Sequence, residues 1–271
     1  MRLATALIAA VAVAGIAAGC GSSSSSTSTS GSGGSSDLGL ITPGTLTIGS
    51  DIPYPPFEQG KPPDYTGFDV DLMDAIAKKL NLQPKWVDTA FGTIFSDQQA
   101  GKFDIVASST TITPAREQKV TFSDPYYTAD QSLMVQKGSS LQSTSDITSS
   151  TRIGVQQGTT GADYATNKTD AQVQSYPEIG NAFNALQAGQ VDGVINDFAV
   201  SAFALKQYPQ LAVVQTIKTG EQYGFPMQPQ NTALQDAVNG ALKSVIADGT
   251  YQKVYEHWFT NPPPKEFQPS S

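Results

Sequence analysis

The chain has 271 residues, 39% of them hydrophobic and 15% charged, which is enough apolar material for one large or two modest cores. Sixteen basic residues face 24 acidic ones, a formal net charge of −8 with no basic cluster, so the electrostatic footprint of a nucleic-acid binder is missing. A single cysteine excludes an intramolecular disulfide, and a single histidine, His257, without cysteine company does not make a zinc site.

Arg2 opens an apolar stretch, Leu3 to Ala18, interrupted only by Thr5 and Gly15 and closed by small residues before Cys20. This is the form of a secretory signal, residues 1–19, and it is shorter than the roughly 20 residues a membrane span needs. Cys20 after small residues resembles the lipobox of bacterial lipoproteins, whose thiol is acylated with chains such as palmitate, although Ala17 stands where leucine is usual. Two or three acyl chains anchor far better than one, at about 0.8 kcal/mol per buried methylene. Residues 21–36, GSSSSSTSTSGSGGSS, cannot build a core and read as a flexible tether, extended to residue 43. The expected location is extracytoplasmic, on the cell membrane through Cys20.

From residue 44 to 260, short β-rich runs alternate with helical patterns, the signature of an α/β fold. TLTIGSD (45–51) reads as a buried strand with a polar tip. FDVDLMDAIAKKLNL (68–82) reads as a helix with Val70, Met73, Ala77 and Leu80 on one face and Asp69 as its N-cap. FSDQQAGKFDIV (95–106) and FNALQAGQVDGV (183–194) align without a gap at an offset of 88 and agree at six of twelve places. Each reads as a helix, a glycine stop and a strand entered through aspartate. A looser echo pairs LTIGSD (46–51) with TRIGVQ (151–156). Two similarly built α/β lobes follow. Open α/β sheets bind ligands beyond the carboxyl ends of their strands, so Asp51, the Ser109–Thr111 stretch, Gln156 and Asp197 are expected to converge on a small polar solute.

GFDVDLMDAIAKKL (67–80) matches the signature of the family 3 bacterial extracellular solute-binding proteins, the polar amino acid receptors of ABC importers. DIPYPPFE (51–58), TITPAREQKVTFSDPYY (111–127), GVQQGTT (154–160), NDFA (196–199) and NGALKSVIADGTYQKVYEHWF (239–259) extend the resemblance over about 44–260. It implies a periplasmic-binding-protein type II fold: a discontinuous first lobe (44–125 and 224–260), a second lobe (131–218) and a hinge at 126–130 and 219–223. It also implies a monomer working with ABC permease subunits, and no cofactor.

The resemblance assigns Arg116 to the ligand's α-carboxylate as a planar two-point pair. Ser108, Ser109 and Thr111 belong to the same loop; Ser109 and Thr111 would add a backbone N–H and a hydroxyl to that carboxylate. Thr160, in a Gly-rich turn opening a helix, would join them. Asp197 would hold the α-ammonium from the opposite lobe. Tyr54 and Phe91 would sandwich the ligand side chain, and Asp51, Gln156 and Asn196 would meet its distal end. Arg116 and Asp197 neutralise a zwitterion, so Asp51 is a surplus negative charge that favours arginine, lysine, histidine or glutamine over glutamate. A dehydratase-like enzyme on this fold needs a poised acid or base, and only Asp51 and Asp197 are candidates, so no catalysis is expected. The remaining alternative is an amino acid sensor lipoprotein. The proline-rich 261–271 reads as a disordered tail.

Overall fold

The computed structural model describes residues 37–269, so the expected signal, Cys20 and the tether through residue 36 lie outside the described residues. Residues 37–43 of the expected tether are not loose: Leu38 and Leu40 pack against the core, and the Ile41 N–H donates to Asp104 Oδ1 (2.7 Å). Thr45–Ser50 (β1) is buried beyond its first residue, as a central parallel strand covered on both faces must be. Gln59–Lys61 (β2) and Asp64–Thr66 (β3) form a small hairpin, followed by Phe68–Lys79 (α1), Gln83–Asp88 (β4), Ile94–Gln99 (α2) and Ile105–Val106 (β5). Pro114–Glu117 (α3) and Thr121–Phe122 (β6) lead into the long Tyr127–Gln136 (β7).

The second half repeats the plan. Arg152–Gln156 (β8), Thr160–Lys168 (α4), Gln172–Tyr176 (β9), Ile179–Gln187 (α5), Gly193–Asp197 (β10) and Phe198–Ala204 (α6) precede Leu211–Tyr223 (β11). Pro226–Met227 (β12), Thr232–Ala247 (α7) and Thr250–Trp258 (α8) then return to the first half. One sheet has the order β4-β1-β5-β12-β6, the other β11-β7-β10-β8-β9. Read from opposite ends the two are the same: β8 stands for β1, β9 for β4, β10 for β5, and β7 is the antiparallel neighbour that β12 is in the first sheet. The offset of 88 has this topology behind it. The helix stops Gly101 and Gly189, 88 apart, share a left-handed backbone with φ of 71° and 72°.

The chain passes between the sheets twice, and the two passages lie side by side. Tyr127, Thr128 and Ala129 at the start of β7 pair with Tyr223, Gln222 and Glu221 at the end of β11. Aromatic rings pack around them: Tyr126 stacks on Phe225 with centroids 4.0 Å apart, and Tyr127 on Tyr223 at 5.3 Å. Among the described residues these two strands carry the chain between the lobes, an arrangement that hinges.

Two local expectations need correction. Asp69 is not the N-cap of α1; that position is Gly67, whose φ of 144° and closeness to Phe57 leave no room for a side chain. Asp69 instead is fully buried and takes hydrogen bonds from elsewhere, as described below. The tail, within the described residues, is not loose: a 3-10 turn at Lys265–Phe267 buries Phe267 against Tyr251, ring centroids 5.6 Å apart, so apolar burial overrides the proline content. His257 sits in the last turn of α8 with its ring edge-on to Trp258.

Candidate functional site

The strand tips face one another across the space between the sheets. Asp51 follows β1, and its backbone N–H donates to Ser108 Oγ at the tip of β5 (3.0 Å). From the other lobe, Gln156 at the end of β8 donates its amide to the Asp51 carboxylate. Burial pushes the Asp51 pKa up to about 7, against the opposing effect of the Gln156 hydrogen bond. Asp197 ends β10, and its backbone begins α6 while its side chain leaves the helix. It accepts from Tyr54 Oη across the cleft (2.7 Å), from Tyr223 Oη, and from Gln131 Nε2. Burial raises it to about 6, and the neighbouring Glu221 carboxylate adds to the rise.

Arg116 is held by α3, which Thr113 caps and Pro114 starts. Arg116 is 8% exposed, and its guanidinium donates to the carbonyl of Thr111 in its own lobe (2.8 Å) and of Gly158 in the other (3.0 Å). Its carbon lies 5.4 Å from the Phe91 ring centroid and 5.1 Å from that of Phe95. Two of the five N–H groups a guanidinium carries are therefore used by carbonyls, which leaves three for a planar acceptor.

Ser108, Ser109, Thr111, Arg116, Asp51, Tyr54, Phe91, Gln156, Thr160 and Asp197 line one cavity, ten of the eleven residues expected there. Thr159, the N-cap of α4, completes the wall. The cavity is about 10 Å³, room for roughly one water. Tyr54–Asp197, Gln156–Asp51 and Arg116–Gly158 hold the lobes together directly, so a larger solute enters only when these bonds part.

Residues 46–261 match the family described as bacterial extracellular solute-binding proteins, family 3. The chain belongs to this family. ABC transporter arginine-binding protein 1 of Escherichia coli (strain K12) is 35% identical over 221 residues, covering 79% of this chain and 90% of that one. An ancestral arginine-binding protein bound to arginine superposes with a TM-score of 0.76 at 36% identity, over 80% of this chain and 98% of that one. An ancestral arginine-binding protein bound to glutamine gives the same TM-score and identity over 81% of this chain and 100% of that one. The two lobes joined by a two-segment hinge are the periplasmic-binding-protein type II fold.

Three residues are engaged differently from the sequence expectation. Asn196 does not line the cavity; its Oδ1 lies 3.0 Å from Tyr54 Oη, the same phenol that donates to Asp197, so it stands behind the wall and not in it. The Ser109 N–H donates to Asp69 Oδ2 (2.9 Å), with Ser109 in a left-handed backbone at φ 46°. Tyr126 Oη donates to the same oxygen (2.6 Å), and Ser109 Oγ lies 3.3 Å from Glu58 Oε1. Glu58 and Asp69 are both fully buried, and burial pushes both carboxyls up, so the pair retains a proton that one charge alone would not. The third is Thr111, whose hydroxyl donates to Glu221 Oε2 (2.8 Å) rather than into the cavity. Sequence reasoning missed Glu221, Gln131, Tyr223 and Thr159. Alternation in EQYGF was the available signal, because it puts Glu221 and Tyr223 on one face of β11.

Proposed function

We propose that this protein is an extracytoplasmic receptor that binds a polar, non-acidic amino acid between its lobes and delivers it to an ABC importer. The observation that carries the reading is the meeting of Arg116 from one lobe and Asp197 from the other on the wall of one cavity. A free amino acid presents a carboxylate and an ammonium a few ångströms apart, and a guanidinium and a carboxylate from facing lobes are their complements. Because each lobe supplies half of the contacts, the ligand binds the closed form more tightly and drives closure. Asp51 and Asp197 outnumber Arg116, and Glu221 stands behind them, so a cationic side chain restores the balance best. This supports arginine, lysine or histidine first and glutamine second, in line with the arginine-binding relatives.

Retention at the membrane through acylated Cys20 belongs to the same reading, as does the absence of catalysis. Titration calorimetry with the common amino acids tests the core of it: a basic amino acid binds tightest, at micromolar or better, on the order of −8 kcal/mol. Glutamate binding tightest, or no amino acid binding, defeats it. Mass spectrometry of ligand recovered from the complex returns the amino acid unchanged, whereas a product would mean an enzyme. Cys20→Ser releases the protein from the membrane fraction; continued retention removes the anchor.

A further inference from the structure

Thr111 belongs to the first lobe and Thr160 to the second, yet both hydroxyls donate to one oxygen, Glu221 Oε2, at 2.8 and 2.7 Å. The other carboxylate oxygen lies 3.3 Å from Gln131 Nε2, the same amide that serves Asp197. The glutamate is placed by the backbone. Ile112 N–H donates to Gln222 O (2.8 Å) and Gly224 N–H to Thr110 O (3.1 Å), so the end of β11 lies against the Thr111 loop. Glu221 and Tyr223 then project on the same side, Tyr223 to Asp197 and Glu221 to the threonines. Glu221 does not itself line the cavity; Thr111 and Thr160 do.

A hydroxyl has one hydrogen and two lone pairs. A carboxylate is acceptor-only, so it claims the hydrogen of each threonine. Gln131 Nε2, 3.4 Å away, takes one lone pair of Thr160 Oγ1, which leaves the other, and those of Thr111, for a further partner. We infer that Glu221 is a positioning residue that sets the polarity of Thr111 and Thr160, making both hydroxyls acceptors toward the cavity and so readers of the ligand's ammonium. The carboxylate end is then left to Arg116. This rests on the amino acid reading above and reverses the polarity that the sequence assigned to the two threonines. An amide at position 221 carries its own donors and can hydrogen-bond a threonine oxygen, which frees that hydroxyl to donate into the cavity.

The experiment is calorimetry on the full-length protein with L-arginine, its analogue lacking the α-amino group (5-guanidinopentanoate) and its analogue lacking the carboxylate (agmatine). In Glu221→Gln the preference for arginine over the des-amino analogue falls by about tenfold or more, the size of one charge-assisted hydrogen bond. The preference for arginine over agmatine stays within about twofold of wild type, since Arg116 is untouched. Thr111→Val, which removes a hydroxyl and keeps the glutamate, lowers the same amino preference and serves where Glu221→Gln folds poorly. An unchanged amino preference in either variant, or an equal loss for both analogues, overturns the role given to Glu221. Wild-type protein that binds none of the amino acids defeats the underlying reading instead.

Discussion

Replacing Asp51 by asparagine separates charge from shape at the distal end of the cavity. The amide has the same outline and its oxygen can still accept from Gln156, so the bond that joins β1 to β8 across the cleft survives. What disappears is a carboxylate that is 6% exposed and that burial has already pushed up to about 7. A guanidinium or ammonium set against that group forms a charge-assisted hydrogen bond worth roughly 1.5–3 kcal/mol, a factor of about 10–150 in affinity. A neutral ligand amide loses only an ordinary hydrogen bond, about 1 kcal/mol or a factor of about five. Titrating arginine and glutamine into both proteins at pH 8, where Asp51 is ionised, should show their affinity ratio falling by roughly an order of magnitude. At pH 5.5 the wild-type carboxyl is mostly protonated and the two proteins should converge. Without ligand, Asp51→Asn should melt higher than wild type at pH 8, because it removes a desolvated charge. Equal losses for arginine and glutamine at pH 8 would refute the assignment of Asp51 to the ligand side chain.

Binding of a basic amino acid should expel protons. Burial raises Asp51 to about 7 and Asp197 to about 6 from an ordinary 3.8, and a cationic partner favours their ionised forms. Arginine affinity should therefore weaken as pH falls from 7 to 5, by up to about tenfold per unit for each group, and calorimetry at pH 6 in buffers of different ionisation enthalpy reads the released protons. The sign for stability is opposite to that of a salt-bridged acid: these two groups subtract stability as pH rises from 3.8 through their raised values, and flat melting temperatures over that range in Asp51→Asn and wild type alike would contradict this. Tyr54→Phe deletes the phenol bond to Asp197 across the cleft while Tyr223 and Gln131 still hold the carboxylate. The closed-to-open balance should shift on the order of tenfold, seen as a larger radius of gyration in ligand-free X-ray scattering; superimposable curves would refute the latch. Gly67→Ala should destabilise by roughly 3 kcal/mol or more, since its Cβ would lie 1.9 Å from Phe57 O at a φ of 144°. Gly240→Ala, with nothing within 4 Å in the middle of α7, should stabilise by about 0.5–1 kcal/mol, and denaturant unfolding measures both.

Much of this molecule could be read along the chain because its information is local and repeated. Strand tips announce themselves as polar residues after apolar runs, helix stops as glycine, and the offset of 88 residues marks a helix and strand that hold the same place in each sheet. Once two lobes are granted, the rule that ligands sit beyond strand ends brings Asp51, Ser109, Gln156 and Asp197 together, and these four do share a wall. Asn196 meets the site only through the Tyr54 phenol, a contact across 142 residues of sequence that nothing local announces. Polarity was not legible either. Whether a threonine hydroxyl donates or accepts depends on what stands behind it, and Glu221 lies 110 residues beyond Thr111 and 61 beyond Thr160. Likewise Asp69 looks like a helix cap in its own sequence and becomes the buried partner of Glu58 and Ser109 only when three distant segments pack. Periodicity and turn chemistry act between near neighbours and are written in order; hydrogen-bond direction and proton ownership are set across space, and only the folded chain decides them.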